Sequence, residues 1–263
     1  GIYVDVSNFP GTTVDISYGT YENYVVIDTP GVYGVSSFND EERVARDVIL
    51  EGDIILNVVD AVHMERDLFL TQQLIDMGKI VIVALNMMDD VKRNGLQIDI
   101  EKLSILLGVP IIPTVAVNKI GIKELKNKLE AASIGNPISG IKEQLKAVLP
   151  LVSNPSESLL VLEEDENIIE RNHIKKHHDL REKIYRHRRE RVNEIVDSVV
   201  TETKSGASFK IRLSQMMLQP LTGIPILLIT LWLMYQFLGV FIAQTVVGVT
   251  EEVIMGSYYN DLI

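Results

Sequence analysis

The sequence predicts an α/β protein with a doubly wound, mostly parallel sheet, followed by a helical module and one transmembrane helix. Three observations lead to this prediction. Apolar segments of strand length alternate with amphipathic segments of helix length over the first half of the chain. The composition then becomes highly charged, and residues 213–250 contain no charged residue at all. We therefore predict domains at residues 1–132, 133–212 and 213–263.

The elements of the first domain alternate in type. Their strands consist mostly of Val, Ile and Leu on both faces, which is typical of a sheet covered by helices on both sides. The predicted strands are Thr13–Thr20, Tyr24–Asp28, Asp53–Val59, Ile80–Leu85 and Pro110–Val115, with a turn at Glu22 and Asn23. The predicted helices are Glu41–Glu51, Glu65–Met77, Ile100–Leu107 and Ile122–Ala131. Ligands of such sheets bind at the carboxyl ends of the strands.

An Asn-x-x-Asp motif, Asn86 to Asp89, directly follows one buried strand. The asparagine amide can contact one edge of a guanine, while the carboxylate accepts hydrogen bonds from the ring N–H and the exocyclic amine. Adenine lacks that pair of donors, so a bidentate carboxylate selects guanine. The tetrapeptide alone is also common in ordinary turns.

An Asp-x-x-Gly motif, Asp28 to Gly31, follows an earlier strand. This spacing brings a carboxylate near a nucleotide-bound Mg²⁺, and the glycine lets a backbone N–H approach a terminal phosphate. Two such motifs in this order, each behind a strand, predict a guanine-nucleotide switch.

A phosphate-binding Gly-x-x-x-x-Gly-Lys-Ser/Thr loop does not occur in the printed sequence. Such sheets ordinarily begin with a strand, this loop and a helix. The chain opens at Gly1 without a Met, so we expect it to be a fragment, or to have a disordered or misannotated start, with roughly 40 residues belonging in front of it. The fragment alone is then expected to be inactive.

Charge and composition narrow the class further. The net charge of −11 argues against nucleic acid as the main partner. Cysteine is absent, so neither disulfides nor thiolate metal sites are available.

The charged module is predicted to contain a helix with one apolar face. This face is indicated by the helical spacing of Val192, Ile195, Val196 and Val199. The basic run 171–191 is expected to be a solvated helix.

The segment Leu221–Val249 is almost continuously apolar and long enough to span a bilayer. Basic residues precede it and acidic residues follow it, so residues 1 to about 212 are expected on the cytoplasmic side of the cell (inner) membrane. Gln236 and Gln244 are polar at membrane depth, which predicts contacts with further transmembrane helices beyond Ile263.

Several longer strings resemble the ferrous-iron transport protein B family. The string NFPGTTV is similar to its switch loop, DTPGVYG to its second switch, and NVVDAVHMERDLFLTQQL with ALNMMD to the strands and helix that follow. YRHRRERVNEIVDSVV and LQPLTGIPI resemble its helical domain and first membrane segment. The resemblance extends over essentially the whole chain.

This resemblance implies roles for individual residues. Thr13 corresponds to the threonine that joins the Mg²⁺ shell in the triphosphate state, and Asp28 reaches the same Mg²⁺. Gly31 hydrogen-bonds the γ-phosphate. Asn86 and Asp89 read the base.

Met87 stands where many GTPases carry a lysine whose stem covers the guanine, and a thioether can cover it similarly. The last base-contacting element is expected at Val115, Ala116 and Val117, which offer only backbone and methyl groups. Val32 replaces the glutamine that orients water in Ras-like enzymes. Some members of the family hold K⁺ near the first switch.

The resemblance implies a GTPase, binding GTP or GDP with Mg²⁺, that is the cytoplasmic part of a membrane Fe²⁺ transporter, with its nucleotide state coupled to uptake. Two alternatives stay open. One is a non-transport GTPase of the ribosome-assembly type with an accidental apolar tail. The other is a degenerate, noncatalytic nucleotide-sensing module.

Overall fold

A computed structural model describes residues 4–8, 15–36, 40–174, 180–202, 213, 216–246 and 248. The chain divides into two compact units, residues 1–203 and residues 204–263. The first unit contains both the predicted α/β domain and most of the predicted helical module. The boundary predicted between residues 132 and 133 remains a prediction, since this clustering does not divide the first unit.

The first three strands form an antiparallel sheet, called sheet A. It consists of β1 (Val4–Asn8), β2 (Asp15–Tyr21) and β3 (Tyr24–Asp28). The predicted hairpin between the last two is present, and Glu22 in its turn has a left-handed φ of 51°. Sheet A was expected to belong to the main sheet, but its described strands pair only with one another.

The main sheet, called sheet B, is parallel at its centre. It consists of β4 (Ile54–Asp60), β5 (Ile80–Asn86), β7 (Ile111–Pro113) and the short antiparallel β8 (Ser133–Ile134), with β5 between the others. β4 pairs with β5 over its full length, from Ile54 opposite Ile80 to Asp60 opposite Asn86. The strands therefore end side by side, and their last residues share one edge.

Helices connect these strands as expected of a doubly wound sheet. They are α1 (Asp40–Glu51), α2 (Met64–Asp76), α3 (Met88–Arg93), α4 (Ile100–Leu107) and α5 (Ile122–Asn127). A 3₁₀ turn, Leu129–Ala131, completes the segment predicted as the last helix. α4 begins with an Asp99 side chain that accepts from the Lys102 N–H, as a helix N-cap should.

Alternate residues of β5 enter two apolar cores. Val81, Val83 and Leu85 face a large cluster shared with α2, α4 and the later helices, whereas Ile82 and Ala84 face a small cluster with Leu125 of α5. On β4 the sequence predicts cover on both faces, but Leu56 and Val58 are 42% and 60% exposed. Leu56 and Val58 are exposed because, among the described residues, the small cluster with Leu125 of α5 covers only part of their face of sheet B.

The charged module is helical, as predicted. Its helices are α6 (Ser139–Val148), α7 (Glu157–Leu162), α8 (Glu166–Arg171) and α9 (Leu180–Val199). The apolar face predicted on α9 is confirmed, since all four of its aliphatic residues are buried in the large cluster. This burial joins α9 to α2 and α4 of the α/β part.

A two-stranded antiparallel ribbon also joins the two parts. It consists of β6 (Leu96–Ile98) and β9 (Val200–Glu202), which directly continues α9. The Asp99 N–H donates to the Val199 carbonyl at 2.9 Å, and the Lys102 ammonium donates to the Ser198 carbonyl at 2.8 Å. The end of the helical module is therefore fixed to the chain that follows α3.

The second unit contains α10 (Pro220–Met234), which continues as a π-helical segment, Tyr235–Val246. Within the described residues, one helix, Pro220–Ile242, is long and apolar enough to cross a membrane, and its apolar window is unburied. A large apolar helix with no protein cover is typical of a segment that meets lipid.

Candidate functional site

The carboxyl ends of β5 and β7 meet at Asn86. Its side-chain oxygen accepts two hydrogen bonds, from the Ala116 N–H at 3.0 Å and from the Thr114 hydroxyl at 3.2 Å. These two donors fix the orientation of the carboxamide, so its NH₂ group is directed away from them. Asn86 therefore presents a donor at the edge of sheet B where ligands of this fold class bind.

Met87 turns the chain from β5 into α3 with a left-handed φ of 63°. A non-glycine residue in this region costs on the order of 1 kcal/mol, and such strain is concentrated at functional sites. The Met87 carbonyl accepts from the Asp90 and Val91 N–H groups, which begins the helix. The Met87 side chain is 44% exposed beside Asn86.

Asp89 lies in the first turn of α3, where the helix dipole favours a carboxylate. Its side chain is 41% exposed, and one oxygen accepts from the Arg93 guanidinium at 3.1 Å. Asn86, Met87 and Asp89 are thus placed on one short turn with accessible side chains.

The loop after β7 closes on itself. Val115 and Ile120 exchange two backbone hydrogen bonds, of 3.1 and 3.2 Å, around a 3₁₀ turn at Ala116–Asn118. Val115 is buried, Ala116 is exposed, and the Val117 side chain is 87% exposed. Within the predicted segment 115–117, Ala116 is hydrogen-bonded to Asn86 through its backbone N–H.

Gly121 ends this loop with a φ of 78°. A Cβ atom at this position would lie 2.2 Å from the Pro113 carbonyl oxygen. The close approach of the two backbone segments therefore requires glycine, and it holds the loop against the end of β7.

The second predicted motif lies on sheet A. Asp28 is the last residue of β3, opposite Ser17 of β2, and its side chain is exposed. Gly31 follows in an open loop, where an added Cβ would meet nothing within 4 Å. Thr13 lies outside the described residues. The structure thus brings the base-reading candidates together at the end of β5, whereas Asp28 ends β3 of sheet A and Gly31 lies in the loop after it.

The segment after Gly31 is hydrogen-bonded to α2 and to Glu163, the residue that follows α7. The Arg66 guanidinium lies over the Tyr33 ring. Its central carbon is 4.8 Å from the centre of the ring. The Val35 N–H donates to the Gln73 side-chain oxygen at 2.8 Å, and the Ser36 hydroxyl donates to Glu163. Residues 33–36 therefore contact both the α/β part and the helical module.

Glu163 belongs to a buried group of charges centred on Arg188. The Arg188 side chain is fully buried and donates to Glu163 at 2.6 Å and to Asp76 at 3.3 Å, while Gln73 also donates to Glu163 at 2.6 Å. Burial raises the pKa of the Asp76 carboxyl, and the nearby Arg188 guanidinium only partly offsets this effect. The basic run was expected to be solvated, so this position of Arg188 corrects the prediction.

A smaller polar group lies at the end of β4. The Asp60 carboxylate accepts from the Val62 N–H at 2.9 Å and contacts His63 Nδ1 at 2.8 Å. Partial burial alone would raise the pKa of Asp60, but the bonds from His63 and Val62 hold it below its usual value. Asp67 of α2 accepts the Asp60 N–H at 2.9 Å.

Two residues of this site were missed at the sequence level. Thr114 immediately precedes the predicted segment 115–117, and its position at a strand end could have identified it. Arg93 stands four residues after Asp89, the spacing that brings helix side chains together.

No cluster of three or more potential metal ligands occurs among the described residues.

The fold and the site define a small-GTPase-like α/β domain joined to a helical module. The family model for ferrous iron transport protein B matches residues 1–129. The cytosolic domain of L. pneumophila FeoB superposes with a TM-score of 0.66 at 30% identity, covering 76% of this chain and 90% of that one. The chain belongs to the ferrous iron transport protein B family.

Other comparisons agree. The cytosolic domain of the T. maritima FeoB iron transporter in its GMPPNP form has a TM-score of 0.65 and 28% identity, covering 76% of this chain and 90% of that one. The Fe(2+) transporter FeoB of Legionella pneumophila (strain Paris) is 42% identical over 168 residues, which are 59% of this chain. The match spans 22% of that curated relative's length.

Proposed function

We propose that this chain is the guanine-nucleotide-binding cytoplasmic part of a membrane Fe²⁺ transporter, and that the intact protein hydrolyses GTP. The observation that carries this proposal is the convergence of Asn86, Thr114 and Ala116 at the strand ends, with Asp89 one turn away. A related domain with GMPPNP, an analogue of GTP, supports the choice of ligand.

Each part of the turn has a role toward the base. The oriented NH₂ group of Asn86 donates to the guanine edge, and the Asp89 carboxylate accepts from the ring N–H and the exocyclic amine. The Met87 thioether covers one face of the base, and its exposure leaves room for that contact. The loop 115–117 closes the far side with backbone and methyl groups.

Substitution of Asp89 tests this assignment in the full-length protein. Asp89→Asn should weaken GDP and GTP binding by about 2–4 kcal/mol, because a guanine donor pair then faces an amide. Xanthosine nucleotides carry a carbonyl in place of that amine, so they should bind the variant better than the wild type. An unchanged preference for guanine would remove Asp89 as the base reader.

The phosphate side of the site is proposed from Thr13, Asp28 and Gly31. Thr13 and Asp28 would hold Mg²⁺, which neutralises phosphate charge when bound. A single exposed carboxylate at Asp28 suits this ion, because Mg²⁺ keeps several waters and takes phosphate oxygens as ligands. The Gly31 N–H would bind the γ-phosphate, and its open surroundings permit a close approach.

Hydrolysis without a glutamine at Val32 requires backbone groups, and in this proposal K⁺ near the first switch, to stabilise transition-state charge. The printed residues contain no phosphate-cradling loop. A protein limited to them should therefore turn over GTP far more slowly than an intact small GTPase. Measured turnover at an ordinary small-GTPase rate would contradict this expectation.

Membrane attachment is proposed from Pro220–Ile242. Basic residues on its N-terminal side support a cytoplasmic location, at the cell (inner) membrane, for residues 1 to about 212. Gln236 and Gln244 would contact further transmembrane helices, through which Fe²⁺ passes as the transported ion.

Coupling of nucleotide state to uptake is proposed to pass through residues 33–36. This segment follows the phosphate-sensing Gly31 and contacts Glu163 of the helical module. A nucleotide can alter transport only if its two states interact differently with such a contact. Thr13→Ala removes a ligand used only with triphosphate, so it should slow GTP turnover more than it weakens GDP binding.

Uptake of Fe²⁺ by the same variant tests the coupling itself. Membrane insertion should be unchanged, because the apolar segment determines it. If turnover falls while uptake stays at the wild-type level, hydrolysis does not gate transport.

A further inference from the structure

Arg93 contacts the proposed base-reading carboxylate directly. Its terminal guanidinium nitrogen Nη2 donates to Asp89 Oδ2 at 3.1 Å, and the same nitrogen pairs with Asp90. All three residues lie on α3, at the i, i+3 and i, i+4 spacings that bring side chains onto one face. The Arg93 side chain is 68% exposed, so the ion pair lies at the protein surface.

We propose that Arg93 is a positioning residue that sets the orientation of the Asp89 carboxylate for guanine. The inference rests on the proposed function of Asp89 as base reader. In this proposal Arg93 acts on the Asp89 carboxylate and not on the base itself. It acts by donating a hydrogen bond to one oxygen of the Asp89 carboxylate from a position one helical turn later in α3.

The geometry leaves the guanine contacts available. A carboxylate has about four lone-pair sites on its two oxygens, and Arg93 uses one site of Oδ2. Oδ1 and the second site of Oδ2 can therefore accept the two guanine donors while the ion pair persists. Asp90 pairs with the same Nη2 nitrogen, which limits the positions that the Arg93 guanidinium can take.

Orientation matters because guanine makes a two-point contact. Two parallel hydrogen bonds require the carboxylate plane to match the plane of the base, whereas a single bond tolerates rotation. Loss of Arg93 should therefore cost more for guanine than for hypoxanthine, which lacks the exocyclic amine and makes one bond. The ratio of the two affinities also cancels any general attraction between Arg93 and nucleotide phosphates.

The test measures GDP and IDP binding to the full-length protein and to four variants. Arg93→Ala should weaken GDP about three- to fivefold, the range of an exposed ion pair, and should lower the preference for GDP over IDP about threefold. Arg93→Lys keeps the charge without the planar fork, so it should restore only part of the preference.

Lys92→Ala is the matched control. Lys92 is the neighbouring cation on the same helix, its side chain is exposed, and it has no role in the proposed site. This variant should leave the GDP-to-IDP ratio at the wild-type value. The fourth variant, Asp89→Ala, tests the function on which the inference rests.

The outcomes separate the two claims. If Asp89→Ala leaves GDP binding unchanged, Asp89 is not the base reader and the proposed function itself fails at this point. If Asp89→Ala weakens binding but Arg93→Ala lowers GDP and IDP equally, Arg93 contributes only charge or helix stability, and the inference is overturned. Tighter GDP binding by Arg93→Ala would also overturn it, because Arg93 would then compete with the base.

Discussion

The Ala116 N–H donates to the Asn86 side-chain oxygen at 3.0 Å, across 30 residues of sequence. This bond joins the turn after β5 to the loop after β7, and the Thr114 hydroxyl reinforces it. A side chain that orients itself by binding the neighbouring loop makes the two loops one structural unit. The proposed base site therefore depends on contacts that never touch the nucleotide.

Thr114→Val should weaken GDP binding about two- to fivefold, because it removes one of the two donors that orient Asn86. Thr114 is 2% exposed, and valine has nearly the same size and shape, so the substitution removes the hydroxyl without opening a cavity. Thr114→Ser retains the hydroxyl and serves as the control. Equal GDP affinity for wild type and the valine variant, measured by calorimetry, would show that the Ala116 bond suffices.

Gly121→Ala should destabilise the protein by about 2–4 kcal/mol, because a methyl group would collide with the Pro113 carbonyl in addition to the left-handed backbone cost. Gly78→Ala is the matched control, with a φ of 75° and open space around the new methyl. It should cost only about 1 kcal/mol. Chemical denaturation measures the free energy of unfolding of both variants. Equal losses of stability would mean that the loop shifts to accommodate the methyl group without an additional cost.

Arg188→Met should destabilise the protein by about 3–5 kcal/mol, because it leaves the buried Asp76 and Glu163 carboxylates without their cation. The triple variant with Asp76→Asn and Glu163→Gln removes the uncompensated charge and should recover much of that loss. Thermal unfolding of both proteins provides the comparison. If the Arg188→Met protein is as stable as the wild type, Arg188 is not needed to compensate these charges.

Asp60→Asn should reduce stability by about 1 kcal/mol at pH 6 and by almost nothing at low pH. The pKa of Asp60 is lower in the folded protein than in the unfolded chain, where it is about 4. Its stabilisation is therefore present above that value and is lost as the pH falls through the folded pKa. The measurement is the difference in unfolding free energy between the two proteins from pH 6 down to pH 3.

Asp67→Asn provides a control in the same cluster. It keeps an oxygen that can accept the Asp60 N–H, and it leaves the Val62 and His63 bonds to Asp60 intact. A difference between wild type and Asp60→Asn that stays constant with pH would contradict the assignment.

Local pattern was sufficient for much of the fold. β5 and α4 lie where apolar periodicity places them, and α9 buries the face marked by its valines and isoleucines. These elements are long or strongly periodic, so the hydrophobic effect alone selects their buried faces. The Asn-x-x-Asp motif at a strand end also predicted that Asn86 and Asp89 lie close together after β5, whereas Thr114, which donates to Asn86, was missed.

Local pattern did not predict features that depend on contacts with residues far away in the sequence. Arg188 stands in a run of charged residues whose sequence is equally typical of a solvated helix, and only the positions of Asp76 and Glu163 make its burial favourable. β6 and β9 have three residues each, too few for a periodic signal. Their pairing depends on tertiary context.

The ribbon of β6 and β9 also lies at the point where the chain leaves the first compact unit. β9 ends at Glu202, and residues 203–219 connect it to the apolar helix that begins at Pro220. A pull from a membrane-anchored helix would load the Glu202 and Leu96 pair first. Leu96 follows α3 after two residues, so that tension and a bound guanine would act on opposite ends of the same short stretch of chain.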